Sequence, residues 1–171
     1  MKNVFLIGYM GVGKTTIGKK LARIMGLEFI DLDGLIEMET GLSISILVKE
    51  FGETYFRELE SKLLLKLTKK QNVLVSTGGG APCFFDNMTM MNENGTTVFL
   101  KMDEKSLVNR LKNKTGSRPL LEGKNELELL DFVKKHVQER LPFYEKAQIE
   151  FDVLNFNAAR QQELKNKIEL I

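Results

Sequence analysis

Residues 8–15 read GYMGVGKT and match the phosphate-binding pattern G-x-x-x-x-G-K-[ST] at every fixed position. An apolar run at 4–7 precedes them, and apolar residues recur at helical spacing over 14–25. The stretch therefore joins a buried strand to the start of a helix. In this setting glycines let backbone N–H groups point inward at phosphate oxygens, and the helix N-terminus adds partial positive charge. A glycine-rich turn that only connects strand and helix is the alternative, which the setting disfavours.

The pattern predicts the roles of individual residues in this loop. The amino group of Lys14 is expected to reach the β- and γ-phosphates of a nucleoside triphosphate, and the Thr15 hydroxyl is expected to ligate Mg²⁺. Thr16 lies outside the pattern, and a plain position in the first helical turn is the alternative to a binding role. The residues of the loop predicted to bind the triphosphate are Gly11, Val12, Gly13, Lys14, Thr15 and Thr16.

The rest of the chain alternates between strand-like and helix-like segments. Short apolar strands separated by helices predict an α/β fold, in which a parallel sheet is covered on both faces. Ligands of such sheets bind at the carboxyl ends of the strands. Strands are predicted at 4–7, 28–32, 73–76, 97–101 and 150–154. Helices are predicted at 14–25, at 33–67 with breaks at Gly41 and Gly52, and at 87–94, 105–111, 126–141 and 158–171.

Length, charge and cysteine content restrict the class of protein. The 171 residues suit one compact domain over 1–171. The 25 lysines and arginines nearly balance the 23 aspartates and glutamates, which argues against a general nucleic-acid binder. The single cysteine, Cys83, cannot form an intrachain disulfide and favours a reducing cytoplasm. The apolar run near the start is too short for a signal peptide or a membrane span. No long apolar stripe is left over, so a monomer is expected.

Two aspartates are placed where the second strand ends. Asp31 and Asp33 are two residues apart, so on a strand their side chains would share one face. Two carboxylates beside the phosphate loop are suited to Mg²⁺ and to an acceptor hydroxyl. The alternative is that Asp33 caps the N-terminus of the helix that follows it. Spacing alone leaves these two interpretations about evenly matched.

Two further features lie where an acceptor substrate would bind. Arg57 is near the start of a long helix, where it either contacts a ligand or forms a surface ion pair with Glu53 or Glu60. Three consecutive glycines at 78–80 follow the third strand. Because three glycines cost conformational entropy, a close approach of the backbone to a ligand is the favoured explanation.

Six segments together resemble the shikimate kinase family. They are GYMGVGKTT at 8–16, DLD at 31–33, GETYFRELE at 52–60, TGGG at 77–80, RPLL at 118–121 and ERLPFY at 139–144. They occur in the family's order and run over most of the chain. The resemblance implies ATP-dependent phosphorylation of the 3-hydroxyl of shikimate, a step toward chorismate and the aromatic amino acids. It also implies the fold of nucleoside monophosphate kinases: a three-layer sandwich with a five-stranded parallel sheet and a lid.

The resemblance also implies roles for particular residues. Arg118 would reach the phosphates from a lid loop at 112–124, and Asp31 would hold Mg²⁺ beside Thr15. Arginine forks bind carboxylates through paired hydrogen bonds, which suits the carboxylate of shikimate. By this likeness shikimate is bound by Asp33, Arg57, Gly79 and Arg140, with a substrate-binding region at 33–60, and catalysis is carried by Lys14, Asp33 and Arg118.

The chain departs from the family at two places. Residues 112–117 lack the additional arginine that many relatives carry, and Lys112 or Lys114 is the candidate replacement. Residues 155–159 lack the arginine or serine with proline that relatives often have near adenine. No residue is therefore assigned to the base of the nucleotide.

Several other residues are expected to have structural tasks. His136, beside two lysines, is interpreted as a solvated surface residue, and Cys83 is expected to fill a small apolar space. The methionines at 88, 90 and 91 are expected to pack a helix. Phe56 is the one aromatic residue expected at the wall of the site.

Two other functions are compatible with the phosphate loop. One is a related kinase that acts on gluconate or a nucleotide. A nucleotide acceptor would need a second base pocket, which the acceptor set around Asp33 and Arg57 does not suggest. The other is a nucleotide-binding module without catalysis, for which no acceptor set and no lid would be expected.

Overall fold

The computed structural model describes residues 2–112 and 125–171. Within these residues five strands form one sheet, and every neighbouring pair is parallel. The spatial order is β2-β3-β1-β4-β5. The predicted five-stranded parallel sheet is therefore confirmed. The strands are β1 (Asn3–Ile7), β2 (Glu28–Asp31), β3 (Val73–Ser76), β4 (Gly95–Lys101) and β5 (Ile149–Asp152).

Helices connect the strands and cover the sheet. Every residue of β1 and β3 is buried, as expected for strands packed on both faces. None of the helices in the described residues is long and apolar enough to cross a membrane. The helices are α1 (Lys14–Met25), α2 (Leu32–Thr40), α3 (Ile44–Thr68), α4 (Asn87–Asn94), α5 (Glu104–Lys112), α6 (Glu126–Tyr144) and α7 (Ala158–Glu169), with a 3-10 turn at Ala81–Cys83.

The strand order brings three separate segments to one edge of the sheet. Strand β3 lies between β1 and β2, and its register pairs Ser76 with Leu6 on one side and with Asp31 on the other. The phosphate loop follows β1 and the glycine run follows β3. These two loops and Asp31 therefore meet at the carboxyl ends of adjacent strands, as the sequence predicts.

The second strand ends one residue earlier than predicted, and Asp33 lies on a helix, so the two aspartates do not share a strand face. Strand β2 ends at Asp31, and α2 begins at the next residue. Asp31 is also the residue that caps α2, because its carboxylate accepts a hydrogen bond from the Gly34 N–H at 3.3 Å. The alternative in which Asp33 is the cap is therefore wrong as well. The carboxylate of Asp33 projects from the first turn of a helix.

Both predicted glycine breaks between residues 33 and 67 are present. Gly41 ends α2 with φ of 70°. Gly52 lies inside α3 with φ of 88° and ψ of 161°, which interrupts the helical backbone there. Residues with side chains rarely adopt these angles, so glycine sets the direction in which the second half of α3 enters the site.

Helix α6 continues beyond its predicted end at residue 141. It includes Pro142 and ends at Tyr144. A proline in the last turn removes few hydrogen bonds, and the backbone beyond it still closes normally, with the Glu145 N–H donating to the Leu141 carbonyl at 2.9 Å. This extra turn places Tyr144 four residues after Arg140 on the same helix face.

Candidate active site

The phosphate loop curls around the side chain of its own lysine. Gly13 precedes α1 with φ of 106°, a left-handed conformation that favours glycine. The Lys14 ammonium is buried and donates hydrogen bonds to the carbonyls of Gly8 at 2.7 Å and Tyr9 at 3.0 Å. The loop therefore holds a positive charge at the centre of a concave backbone, as phosphate binding requires.

A cavity of about 130 Å³ joins this loop to the predicted acceptor residues. It brings Lys14 and Thr15 together with both aspartates and with Gly79, although these residues come from three different connections of the sheet. Arg57 and Arg140 are not part of its lining and lie behind the glycine run. The lining residues are Met10, Gly11, Gly13, Lys14, Thr15, Thr16, Asp31, Asp33, Ser76, Thr77 and Gly79.

Thr15 and Asp31 present two oxygen ligands side by side. The Thr15 hydroxyl donates to the Asp31 carboxylate at 2.7 Å. In the described residues no group of three or more His, Cys, Asp or Glu side chains could hold a metal. Magnesium is usually held by one or two protein oxygens, with waters and substrate phosphates completing its shell. The two residues therefore fit a magnesium ion that arrives with a nucleotide.

Asp33 is a partly buried carboxylate that faces the glycine run. Burial raises the pKa of Asp33, and the nearby Lys14 ammonium acts in the opposite direction. A Cβ atom at Gly78 would lie 2.8 Å from the Asp33 Oδ1 atom. Asp33 thus lies between the phosphate loop and β3, with a basicity suited to accepting a proton.

The three consecutive glycines make room for side chains of the site. A Cβ at Gly78 would also lie 2.7 Å from Glu60 Oε1, and one at Gly80 would lie 2.5 Å from an Arg57 nitrogen. A Cβ at Gly79 would lie 3.4 Å from an Arg140 nitrogen. The absence of side chains therefore lets charged groups pack directly on the backbone. This explains the three glycines by contacts within the protein as well as by the close approach of a ligand.

Arg57 is held by both glutamates named in the surface alternative, but it is not a surface residue. Its side chain is only 12 % exposed. It donates to Glu60 at 2.8 Å and to Glu53 at 3.2 and 3.3 Å. Its guanidinium carbon lies 4.8 Å from the ring centre of Phe56 and 4.3 Å from that of Phe84. Two rings and two carboxylates hold the guanidinium in place.

Glu60 is a component of the site that the sequence analysis did not assign to it. Its side chain is completely buried, and its Oε1 atom has no hydrogen-bond partner among the described residues. Burial raises the pKa of Glu60 to about 7, against the opposing effect of Arg57. The burial of Glu60 could have been predicted from the sequence. Glu60 occupies a core-facing position in the apolar helical stripe formed by Phe56, Leu63, Leu64 and Leu67.

Replacing Glu60 with glutamine tests this burial through the pH dependence of stability. The folded pKa of about 7 lies above the ordinary value of 4.5. Protonated Glu60 stabilises the folded state. This contribution is fully present below pH 4.5 and is lost as the pH rises through about 7. Relative to wild type, E60Q should therefore gain about 2.5 kcal/mol in unfolding free energy between pH 5 and pH 8.

Denaturant unfolding at the two pH values measures this difference. E53Q is the matched control, since Glu53 pairs with the same arginine and its side chain is 62 % exposed. Because its ion pair is exposed, its replacement should change the unfolding free energy by less than about 1 kcal/mol. A constant difference between E60Q and wild type from pH 5 to pH 8 would contradict the assignment of a raised pKa to Glu60.

His136 is not the solvated surface residue that was predicted. It is half-buried, and its Nδ1 atom lies 2.9 Å from the hydroxyl of Tyr9. Its ring packs against Phe132 and against the edge of Tyr9. Burial, and next the nearby Arg140 charge, lower the pKa of His136. It connects α6 to the phosphate loop. The two lysines next to it in the sequence had suggested an exposed position instead.

The remaining structural expectations agree with the fold. Cys83 is half-buried and packs against the core, and burial raises the pKa of its thiol. Met88 and Met91 are buried within α4, and Met90 packs against the core. Phe56, predicted at the wall of the site, is 5 % exposed and lies beside Arg57, but it does not line the first cavity.

A second cavity of about 420 Å³ lies on the other side of the phosphate loop. It shares Gly11, Gly13 and Thr16 with the first cavity, so the two meet along the loop. Arg110 lines it and donates to the Val12 carbonyl at 2.9 Å. Its other lining residues are Ile17, Lys20 and Phe156. Phe156 lies in the segment 155–159 that the resemblance places near adenine, whereas Arg110 carries no motif spacing and the sequence analysis did not identify it.

Parts of the predicted lid lie outside the described residues. These are the residues at 113–124, which include Arg118 and Lys114. Lys112 was predicted to belong to the lid loop, but it is the last residue of α5. Its ammonium forms an ion pair with Glu126 at the start of α6.

Comparisons with known proteins identify the family of this chain. The family model described as shikimate kinase matches residues 10–169. A shikimate kinase of Parabacteroides distasonis is 51 % identical over 152 residues, which are 89 % of this chain and 88 % of the relative. The crystal structure of the Bacteroides thetaiotaomicron shikimate kinase has a TM-score of 0.90 at 42 % identity, and the match covers 99 % of this chain and 97 % of that one.

Two other solved structures distinguish family from fold. Acinetobacter baumannii shikimate kinase in complex with shikimate has a TM-score of 0.81 at 33 % identity, covering 99 % of this chain and 91 % of that one. A gluconokinase of Sinorhizobium meliloti has a TM-score of 0.56 at 18 % identity, covering 99 % and 96 %, which shows the shared fold alone. On the family model and the close relatives, this chain belongs to the shikimate kinase family, a family of kinase enzymes.

Proposed function

We propose that this chain transfers the γ-phosphoryl group of ATP to the 3-hydroxyl of shikimate. The observation that carries the proposal is the cavity in which the phosphate loop and Asp33 meet, with Gly79 at its edge. A donor site and an acceptor site must share such a space for in-line transfer to occur. The shikimate-bound structure of the Acinetobacter baumannii relative supports the choice of acceptor.

Asp33 is proposed to orient the attacking hydroxyl and to accept its proton. Its raised pKa favours proton uptake, and its position beside Lys14 places that hydroxyl near the phosphates. Positioning supplies much of the rate in phosphoryl transfer, because the transition state is loose. The Lys14 ammonium would then stabilise charge on the transferred group, exchanging its present carbonyl partners for phosphate oxygens.

The carboxylate of shikimate is proposed to bind where Arg57, Arg140 and Gly79 converge. Both guanidinium groups pack against the glycine run, Arg57 at Gly80 and Arg140 at Gly79. Two arginines in a partly buried site favour a planar anion over a neutral acceptor. A nucleotide acceptor would instead need a base pocket of its own. The 420 Å³ cavity does not provide one, because it lies on the side of the phosphate loop where the base of ATP would be placed.

Thr15 and Asp31 are proposed to hold the magnesium ion of the nucleotide. When bound there, magnesium would neutralise part of the charge on the β- and γ-phosphates. The hydrogen bond between these two residues keeps their oxygens adjacent before the nucleotide arrives. Arg118 is proposed, from its position in the RPLL segment, to add a further positive charge at the phosphates.

The second cavity is proposed to bind the adenine and ribose of ATP. It opens beside Gly11, Gly13 and Thr16, on the side of the loop away from Asp33. The guanidinium of Arg110 and the ring of Phe156 are the two planar groups that line it. Such groups stack on a base without needing to read its edges. Thr16 lines both cavities, which supports its place among the ATP-binding residues.

Replacing Phe156 with alanine tests the base site. Loss of the stacking ring should raise KM for ATP about tenfold and leave KM for shikimate unchanged. L154A is the matched control, since Leu154 is 46 % exposed, lies two residues earlier and does not line the cavity. Steady-state kinetics with each substrate varied in turn measures both constants. An unchanged KM for ATP in F156A would show that the base binds elsewhere.

A coupled assay of ADP release with a panel of acceptors tests the proposed function. Shikimate should support turnover, whereas gluconate and nucleoside monophosphates should leave ADP release at its background rate. ADP release with gluconate or a nucleotide, and none with shikimate, would overturn the proposal. If ADP is released at the same rate with every acceptor and without any acceptor, the chain hydrolyses ATP and does not transfer the phosphoryl group to these acceptors.

A further inference from the structure

The hydroxyl group of Tyr144 lies beside two parts of the acceptor site, the glycine run and Arg140. Tyr144 is completely buried, and its hydroxyl donates a hydrogen bond of 2.6 Å to the Gly79 carbonyl. Burial raises the pKa of this hydroxyl, and the nearby Arg140 guanidinium acts in the opposite direction. The ring packs on Phe99, with 5.0 Å between ring centres. The ring thus belongs to the core, while its single polar atom belongs to the site.

The contact with Gly79 controls the orientation of a whole peptide group. The Gly79 carbonyl and the Gly80 N–H belong to one planar peptide, in which they point in opposite directions. A hydrogen bond that fixes the carbonyl therefore also directs the Gly80 N–H away from Tyr144. Glycine has no side chain to restrict its backbone, so this segment depends on outside contacts for its orientation.

The nearby Arg140 belongs to the other half of the same site. Arg140 and Tyr144 are four residues apart on α6, so their side chains lie on one helix face. An Arg140 nitrogen approaches Gly79 closely enough that a Cβ there would lie 3.4 Å away. The guanidinium and the Tyr144 hydroxyl therefore both lie close to Gly79, where each restricts the space open to the other.

We propose that Tyr144 is a positioning residue for the carboxylate of the acceptor. Its hydroxyl holds the Gly79–Gly80 peptide and the Arg140 guanidinium in the arrangement that binds that carboxylate. The inference rests on the proposed function, because it takes the acceptor to be shikimate. It goes beyond it by giving the buried tyrosine of the ERLPFY segment a task in substrate affinity.

Replacing Tyr144 with phenylalanine tests the proposal, because it removes one oxygen atom and keeps the ring. KM for shikimate should rise about fivefold to tenfold, the upper scale for losing one buried hydrogen bond. The kcat value should stay within about twofold and KM for ATP should not change, since the group acts on acceptor binding alone.

T68V separates a positioning role from a merely structural one. Thr68 is a buried residue whose hydroxyl donates to the Leu65 carbonyl at 2.8 Å. Its own carbonyl contacts Asn3, at the end of the sheet opposite the site. Both variants should lower the melting temperature, but only Y144F should raise KM for shikimate. An unchanged KM in Y144F, or a fall in kcat without a change in KM, would overturn the proposal.

A double variant tests the coupling to Arg140. If the tyrosine acts partly through this arginine, Y144F should raise KM clearly less in an R140K background than in wild type. Equal effects in both backgrounds would contradict the coupling. If Y144F is too unstable for kinetics, shikimate binding is measured by the rise in melting temperature that saturating shikimate causes. A rise equal to that of wild type would count against the proposal. A wild-type enzyme inactive on shikimate would instead refute the proposed function itself.

Discussion

Replacing Asp33 with asparagine is expected to reduce kcat by about 10³-fold, because the variant cannot accept the proton of the attacking hydroxyl. Asparagine keeps the size and most of the hydrogen-bonding shape of aspartate. Within the phosphate loop, the Lys14 ammonium donates to the carbonyls of Gly8 and Tyr9. ATP should therefore bind D33N within about twofold of wild type, since ground-state binding of the donor is left intact.

Turnover and nucleotide binding must both be measured for this variant. Equilibrium titration with a non-hydrolysable ATP analogue gives the affinity, and the coupled assay gives kcat. E39Q, which changes an exposed carboxylate on the same helix, is the control and should retain full turnover. Wild-type turnover in D33N would remove Asp33 from its proposed role, whereas joint loss of turnover and ATP binding would indicate damage to the loop.

Replacing Lys14 with methionine is the second change with a large expected effect. The ammonium is the positive charge at the centre of the phosphate loop, and its loss should lower kcat by about 10³-fold. A second consequence follows from the charge of Asp33. Lys14 opposes the rise in the pKa of Asp33, so K14M should move the acidic limb of the residual activity to higher pH.

The pH profile of K14M therefore contains information that a loss of activity alone does not. K19M is the control, because Lys19 is exposed on the same helix and lines neither cavity. Its turnover and pH profile should match wild type. Retention of more than a tenth of wild-type kcat in K14M would contradict the role of the ammonium. An unshifted profile would contradict its electrostatic contact with Asp33.

The donor half of the site was predictable from the sequence because its chemistry is local. The residues of the phosphate loop are contiguous, and the strand before them and the helix after them follow from simple periodicity. The meeting of this loop with Asp31 and the glycine run was predictable too. A parallel sheet places all such segments at the carboxyl ends of its strands, whatever their order.

The acceptor half depends on contacts between distant segments, and there the sequence was less informative. Asp33 was placed on a strand because alternation over three residues cannot be distinguished from the start of a helix. The glycine run was explained by a ligand, although its neighbours are the side chains of Glu60, Arg57 and Arg140. The task of Tyr144 depends on a carbonyl 65 positions away.

The identity of the phosphorylated product tests the account most directly. The enzyme is incubated with ATP and equal concentrations of shikimate, gluconate and a nucleoside monophosphate, and the products are resolved by phosphorus NMR. The account predicts one new phosphate ester, on the 3-hydroxyl of shikimate, formed in step with ADP. A phosphorylated gluconate or nucleotide, or ADP formed with inorganic phosphate and no ester, would contradict it.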